Sequence, residues 1–593
     1  MRRTRRSWIG LLGVLGTVLP ATWCGATGVA AAAPAAPCVS TPQLGRCPAW
    51  VSAAYQAPAN QDWLGPAGSV TGSPDGRTVV ADPAGTAIYA VATVRTGASF
   101  RCTAGTTQVS EPGQDVAVLA WSAADGSLLW QRIEGPFGAD VVAEGAGIVV
   151  AADGSRVFAT GFAAAPCQPL HEVTIGLDAR TGADDWVAQV PDAELSSSMG
   201  NLVAAGAAGD LYVAGTGYAG PHPTTSAGYV RRLDQATGDE LWRTDGVDGT
   251  TGSALALDTA TGEVFGGYQD HALVGSPIPS DEHVGTDLVA YDGRSGAALW
   301  SVHDMIGGGG GITDVGVAPD GSRVYTLTCD DNEVAQVSTT RTRALTASRG
   351  APLWESDYAG PGGSSCPSNG GNLVVTPDGS RVVEATTALA GPSAVPGVGS
   401  ASTGSQMPVT LAYDSASGAP LWQAAYQQTP ADTTVLAGAT DGSAVYLAAR
   451  NLNCNTCGAP PQFTTVAYAT AGGAQQWQAL FGNAGSEARG VVAVPGSGRV
   501  VVAGDEDQCG VLDETSPQSQ AVVAVAYDPA GEAAPSLGSA PVAAANCGVG
   551  PSPAVLVPEL PALPLVPLEA APALWLARRS HARKIARERG VSS

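Results

Sequence analysis

The side chains best suited to chemistry cluster in one span: His271, Asp281, Glu282 and His283, followed by His303 and Asp304. Imidazole nitrogens and carboxylate oxygens together are the ligand set of a divalent ion, which makes His271, His283 and His303 the metal candidates. Solvated loop groups are the alternative reading. Two acidic runs, Asp330-Asp331-Asn332-Glu333 and Asp505-Glu506-Asp507, offer oxygens for Ca²⁺ but lack the regular ligand spacing of a calcium loop, so they read as acidic turns. The glycines Gly307 to Gly311 have no Lys-Ser/Thr behind them and form a loop rather than a phosphate cradle. Neither Gly-x-Ser-x-Gly nor His-Glu-x-x-His occurs, so linear motifs assign no catalytic residue.

Composition narrows the partners. Of 593 residues, 53 are Asp or Glu against 29 Lys or Arg, a formal net charge of −24. Much of the positive charge lies at the two ends: Arg2, Arg3, Arg5 and Arg6 at one, and Arg578, Arg579, Arg583, Lys584, Arg587 and Arg589 at the other. An acidic body without basic stripes argues against nucleic acid and anionic membrane as partners. Charged residues make up only 14% and glycines number 77, which favours strands and tight turns over helices.

The elements that must position any site are repeats. A ten-residue word returns along the chain: WSAADGSLLW ending at Trp130, LDARTGADDW at Trp186, LDQATGDELW at Trp242, YDGRSGAALW at Trp300, YDSASGAPLW at Trp422 and YATAGGAQQW at Trp477, with a weaker LTASRGAPLW ending at Trp354. Each reads as a hairpin, in which Asp closes an Asx turn and Gly supplies a positive φ between strand-like flanks. One hairpin cannot bury its own Trp, so the copies must stack. Between them lies a second hairpin, clearest at Pro319-Asp320-Gly321 and Pro377-Asp378-Gly379 and repeated at Asp153-Gly154, Asp441-Gly442 and Pro495-Gly496. One period is therefore four antiparallel strands.

The terminal tryptophans recur every 54 to 68 residues, a steady period for a propeller. Ala49 to Tyr55 reads as a fourth strand with no first three before it, and Val491 to Tyr527 supplies three strands followed by YDPAGEAAPS, with Ser536 where Trp belongs. Each end lacks what the other has. The fold expected is all-β: an eight-bladed β-propeller of four-stranded antiparallel blades, the ring closed by the N-terminal strand pairing into the last blade. Trp50, Trp130, Trp186, Trp242, Trp300, Trp354, Trp422 and Trp477 are then blade-packing residues. Blade one is the hardest to divide, because Gly76 and Gly85 both suit a turn.

The word with Asp, Gly and terminal Trp resembles the tryptophan-docking repeat of quinoprotein dehydrogenases and the wider pyrroloquinoline-quinone-like propeller family, from about Trp50 to Ser536. The resemblance implies a fold and, for its enzymes, a quinone at the propeller axis, with Ca²⁺. Those enzymes carry two adjacent cysteines over the cofactor; here the nearest approach is Cys454 and Cys457. They commonly set a basic side chain against the quinone, whereas the only lysine is Lys584, in the tail. No Cys-x-x-Cys-His haem site occurs. The expectation is therefore no cofactor, with pyrroloquinoline quinone as the alternative.

Residues 1–35 read as a signal peptide, with an Arg-rich start, an apolar run from Trp8 to Leu19 and Ala-x-Ala sites near Ala33 and Ala35. Both general and twin-arginine export fit. Trp23 before Cys24 is too large for lipidation. Residues 36–548 form the propeller, and 549–593 a Pro-rich apolar and basic tail that reads either as a membrane anchor or sorting signal or as a segment without a fold, since Glu569 and several prolines interrupt the apolar span. The protein is expected to be secreted or held at the cell surface, and monomeric.

In a four-stranded blade the two tight turns emerge on one face and the long connections on the other. The long connections, about Arg95–Gln114, Ala163–Glu172, Tyr268–Gly285, Asp330–Ala344 and Leu389–Gln406, carry many of the cysteines. Removal of Cys24 leaves an even set suited to disulfides in an exported chain. The pairings expected are Cys102 with Cys167, Cys329 with Cys366, Cys454 with Cys457, and Cys38, Cys47, Cys509 and Cys547 sharing two bonds where the termini meet. The function expected is a non-catalytic scaffold binding a protein or glycan on this loop-rich face. The alternative is a quinone-dependent oxidoreductase; an enzyme acting on polysaccharide is a third reading.

Overall fold

A computed structural model describes residues 34–35, 48–52, 78–104, 107–134, 142–190, 197–207, 209–218, 226–244, 250–270, 284–306, 311–332, 337–360, 372–389, 406–426, 432–452, 463–481, 487–507, 520–528 and 538–539. Among these residues every regular element is a strand. Thirty-two strands form eight four-stranded antiparallel sheets arranged as an eight-bladed propeller. Blade one contains Val79–Ala81, Ala87–Ala104, Thr107–Ser122 and Leu128–Glu134, and blade two Val142–Val150, Arg156–Ala164, His171–Asp178 and Asp184–Gln189. Blades three to seven follow over Ser197–Arg243, Thr250–Ile306, Ile312–Tyr358, Asn372–Ala425 and Asp432–Phe481.

Blade eight takes three strands, Glu487–Ala493, Val500–Asp507 and Gln520–Tyr527, and its fourth is Trp50–Val51. Trp50 stands opposite Ala526 and Val51 opposite Val525, so the ring closes as the two incomplete chain ends require. Closure leaves no blade without a neighbour on either side, which removes the faces an open array would expose. A second, two-residue pair sets Pro34–Ala35 against Gly538–Ser539; the first of these lies inside the stretch expected to be a signal peptide.

The core sits between blades rather than within them. Nine apolar clusters occupy the eight seams. The closing seam holds Trp50, Val79, Ile88, Leu119, Trp121 and Val501. Alternation explains this layout: in each second and third strand both faces are covered by a neighbouring blade, so these strands read as nearly continuous runs of Val, Ala, Leu and Tyr.

The repeated turns follow the expected chemistry. At Ala318–Arg323 the Asp320 carboxylate accepts from the Ser322 amide at 3.0 Å and its hydroxyl at 2.6 Å, and Gly321 turns the chain at φ +67°. At Asp178–Ala183 the Thr181 amide and hydroxyl donate to Asp178 at 2.8 and 2.6 Å, and Gly182 takes φ +68°. In blade one the turn falls at Gly85, φ +67°, where Asp82 accepts from the amides of Thr86 and Ala87.

Two of the expected long loops are strands. Arg95–Gln114 continues the middle hairpin of blade one, with Ser99 opposite Pro112 and Ala104 opposite Thr107 after an irregularity between Arg95 and Ser99. Asp330–Ala344 likewise pairs out to Asn332 with Val337. Thr, Val and Ser in these stretches suit a pleated ribbon, and an existing hairpin templates its own extension.

Candidate binding face and the buried charges between blades

Each tryptophan at the end of an outer strand reaches the next blade. Trp130 Nε1 donates to the Ala179 carbonyl at 2.8 Å, and its ring lies so close to Gly182 that an added Cβ would meet Cε3 at 2.5 Å. The same bond, between 2.6 and 3.1 Å, runs from Trp186 to Gln235, Trp242 to Gly293, Trp300 to Ala347, Trp354 to Ser415, Trp422 to Thr470 and Trp50 to Ala123. The acceptor is always the residue after the turn's Asp position, and the ring covers the turn glycine. That glycine is therefore required twice, for positive φ and for the space a side chain would fill. Trp477 packs instead against Tyr446 and Tyr527, with ring centroids 6.0 and 5.4 Å apart.

The tight-turn face thus has its repeated polar groups engaged within the fold. Hydrogen bonds from Thr376 and Ser380 pull the Asp378 carboxyl down to about 2. Ser or Thr hydroxyls likewise lower Asp125, Asp153, Asp178, Asp292, Asp320 and Asp414.

The opposite face varies from blade to blade. The middle strands of blade one are 18 and 16 residues long, while those of the other blades have 7 to 10. At about 3.3 Å per residue this hairpin stands roughly 25 Å proud of its neighbours. Cys167, exposed in the connection after Ala164 with φ 63°, and Cys329, buried in blade five, are each disulfide-bonded. Cys102 lies on the projecting hairpin. Cys38, Cys47, Cys366, Cys454, Cys457, Cys509 and Cys547 lie outside the described residues, as do His271, Asp281, Glu282, His283, the acidic residue Glu333, residues 1–33 of the expected signal peptide and the tail 549–593.

His303 sits on the outer strand of blade four, half-exposed, with Nδ1 3.1 Å from Asp287 Oδ1 on the neighbouring strand. Asp304, the next residue, turns to the other face and is ion-paired with Arg343 of blade five. The strand therefore separates the two groups that adjacency in sequence placed together. Among the described residues no group of three His, Cys, Asp or Glu is placed to hold a metal ion.

Several buried carboxylates went unassigned in the sequence, Glu172, Glu384 and Asp115 among them. Glu172 of blade two, fully buried, accepts from Arg231 Nη1 at 3.0 Å and from the Tyr229 hydroxyl at 2.9 Å, both of blade three; Arg231 is 1% exposed and also meets Glu240 at 3.1 Å. Glu384 of blade six is fully buried among hydroxyls, and burial raises its carboxyl. Asp115, at the base of the long hairpin, is pushed up to about 7 by burial. Their signal was available: a single charge inside an apolar strand, as in RVVEATTAL, has to be compensated in the fold.

The inner strands would have to supply the groups that hold a quinone at the propeller axis. The sequence has no two adjacent cysteines, and its one lysine, Lys584, lies outside the described residues. Among the described residues Arg489, half-buried, is the one cation on those strands. The buried Asp314 accepts from the amides of Val315 and Leu373 at 2.8 and 2.7 Å. These residues do not fit the quinone.

A family model described as outer membrane protein assembly factor BamB matches residues 74–264 and 226–451. No curated protein sequence matches the chain. Among solved structures, the quinohemoprotein alcohol dehydrogenase ADHIIG from Pseudomonas putida HK5 is similar at 14% identity and a TM-score of 0.44, covering 82% of this chain and 76% of that one. The quinohemoprotein alcohol dehydrogenase from Comamonas testosteroni is similar at 13% and 0.43, covering 82% and 77%. BamB from Moraxella catarrhalis is similar at 14% and 0.39, covering 72% of this chain and 96% of that one.

Proposed function

The chain belongs to the BamB-like family of pyrroloquinoline-quinone-like β-propellers, and we propose that it is a non-catalytic binding scaffold, exported from the cytoplasm, which captures a protein or glycan ligand on its loop-bearing face. One observation carries this reading: among the described residues that face bears the long hairpin of blade one, whose middle strands have 18 and 16 residues. The family model's description is that of an assembly factor, a role that works through binding. A rigid scaffold with one variable face is the arrangement in which recognition is usually carried by the variable segments.

The test replaces residues 96–113 by Asn-Gly, joining Arg95 to Gln114 through a two-residue turn, with Cys167→Ser in the same protein. Retention of the purified parent protein on cell-wall or glycan material, or on its protein ligand, should be lost while cooperative unfolding persists. Saturable binding of pyrroloquinoline quinone with Ca²⁺, accompanied by dye reduction, would overturn the proposal in favour of an oxidoreductase.

A further inference from the structure

Two fully buried glutamates stand at blade seams, and they are compensated in opposite ways. Glu172 has a guanidinium, Arg231, at 3.0 Å. Glu384 has none. Its Oε1 accepts from Thr340 and its Oε2 from Thr342 at 2.8 Å, both on the third strand of blade five; Tyr413, on its own blade, reaches Oε2 at 3.3 Å. All three partners are neutral hydroxyls. Thr386, two residues along and on the same face of the strand, adds another buried hydroxyl, whose oxygen has no hydrogen-bond partner among the described residues.

The charged groups nearby are occupied elsewhere. Arg341 pairs with Asp357, and Arg343 with Asp304 and Glu355, on the opposite side of the strand from Thr340 and Thr342. Asp314, on the inner strand of blade five, bonds to the amides of Val315 and Leu373. Tyr358 on the outer strand accepts from Gln423 at 3.2 Å, and both Tyr358 and Tyr413 are themselves raised by burial, so neither is ionised near neutrality. The three hydroxyl bonds favour the carboxylate, but burial without a counter-charge outweighs them and raises the carboxyl, so the seam favours the neutral acid.

We propose that Glu384 is a proton-holding latch between blades five and six: the neutral acid closes the seam, and loss of its proton to water as pH rises opens it. Because the carboxyl is inaccessible in the closed ring, ionisation requires water to enter, and the opening is local to this seam. The Trp354–Tyr413 ring pair, centroids 6.1 Å apart, and the Trp354 to Ser415 bond join the same two blades. The Glu172 seam, with its charge already paired, provides an internal control.

The experiment compares the full chain with Glu384→Gln, which mimics the neutral acid, and with Glu384→Met as a second background. Infrared spectra at neutral pH should show a protonated-carboxyl carbonyl band in the parent that both variants lack; Asp115 is common to all three and cancels in the difference. Amide exchange in blades five and six should then accelerate in the parent relative to either variant at the same pH. The ratio should grow by up to about tenfold per pH unit above the ordinary glutamate range of about 4.3, while the seam between blades two and three stays unchanged. No band difference, or an exchange ratio independent of pH, overturns the proposal.

Discussion

The indole nitrogen of Trp50 donates to the carbonyl of Ala123 at 3.1 Å, and the indole ring lies over Gly126, binding the strand that completes blade eight to the last turn of blade one. Arg499 strengthens the same seam by donating to the carbonyls of Ala123 and Ala124 at 2.9 and 2.7 Å while pairing with Asp528. The closing joint is thus built like the others, with a strand borrowed from the far end of the chain.

Trp50→Ala should cost about 3–5 kcal/mol, the range for a large buried aromatic, because it removes the ring, its hydrogen bond and the contact that anchors a two-residue strand. Denaturant unfolding measures the change. Stability equal to that of the parent would contradict the closure described here.

Gly126→Ala tests the other partner. A Cβ would stand 2.4 Å from Trp50 Cε3 on a residue with φ +72°, so overpacking and backbone strain add to about 2–4 kcal/mol. Gly496→Ala, also at positive φ but with nothing within 4 Å, should show the smaller backbone cost alone.

Arg231→Met leaves Glu172 buried without its cation and should destabilise by about 3–5 kcal/mol. Adding Glu172→Gln to that variant should restore part of the loss, since the uncompensated charge is gone. A double variant no better than the single one would mean that the packing of the long side chain, rather than charge, sets the cost.

Acid should weaken the tight-turn face in a defined window. Asp378 falls from 3.8 to about 2 on folding, so its contribution is complete above pH of about 4 and is lost as pH drops through about 2. Asp378→Asn should flatten that part of the stability curve. Asp115 acts with the opposite sign: its carboxyl rises to about 7, so stability falls as pH climbs from about 4 to about 7, and Asp115→Asn should relieve the loss at neutral pH.

Peptide mapping without reduction should join the Cys167 peptide to the one holding Cys102, and the Cys329 peptide to the one holding Cys366. Each bond is expected to contribute about 2–4 kcal/mol by restricting the unfolded chain. Any other partner for Cys167 would detach the projecting hairpin from blade two.

The sequence by itself determined the number of blades, the turn chemistry and the closure. These follow from local rules repeated along the chain: an Asp and a Gly at fixed spacing make a turn, alternation makes a strand, and a Trp without local cover needs a neighbour. A chain whose first strand lacked three companions and whose last three lacked a fourth had one way to satisfy both. The tertiary structure alone decided which Gly each Trp covers, that His303 and Asp304 part to opposite faces, and that Arg95–Gln114 continues as paired strands. It also decided that Glu172 meets Arg231 whereas Glu384 meets only hydroxyls. Compensation of a buried charge depends on residues some forty to sixty positions away, brought within 3 Å by the packing of adjacent blades, and no local pattern encodes which of them arrives.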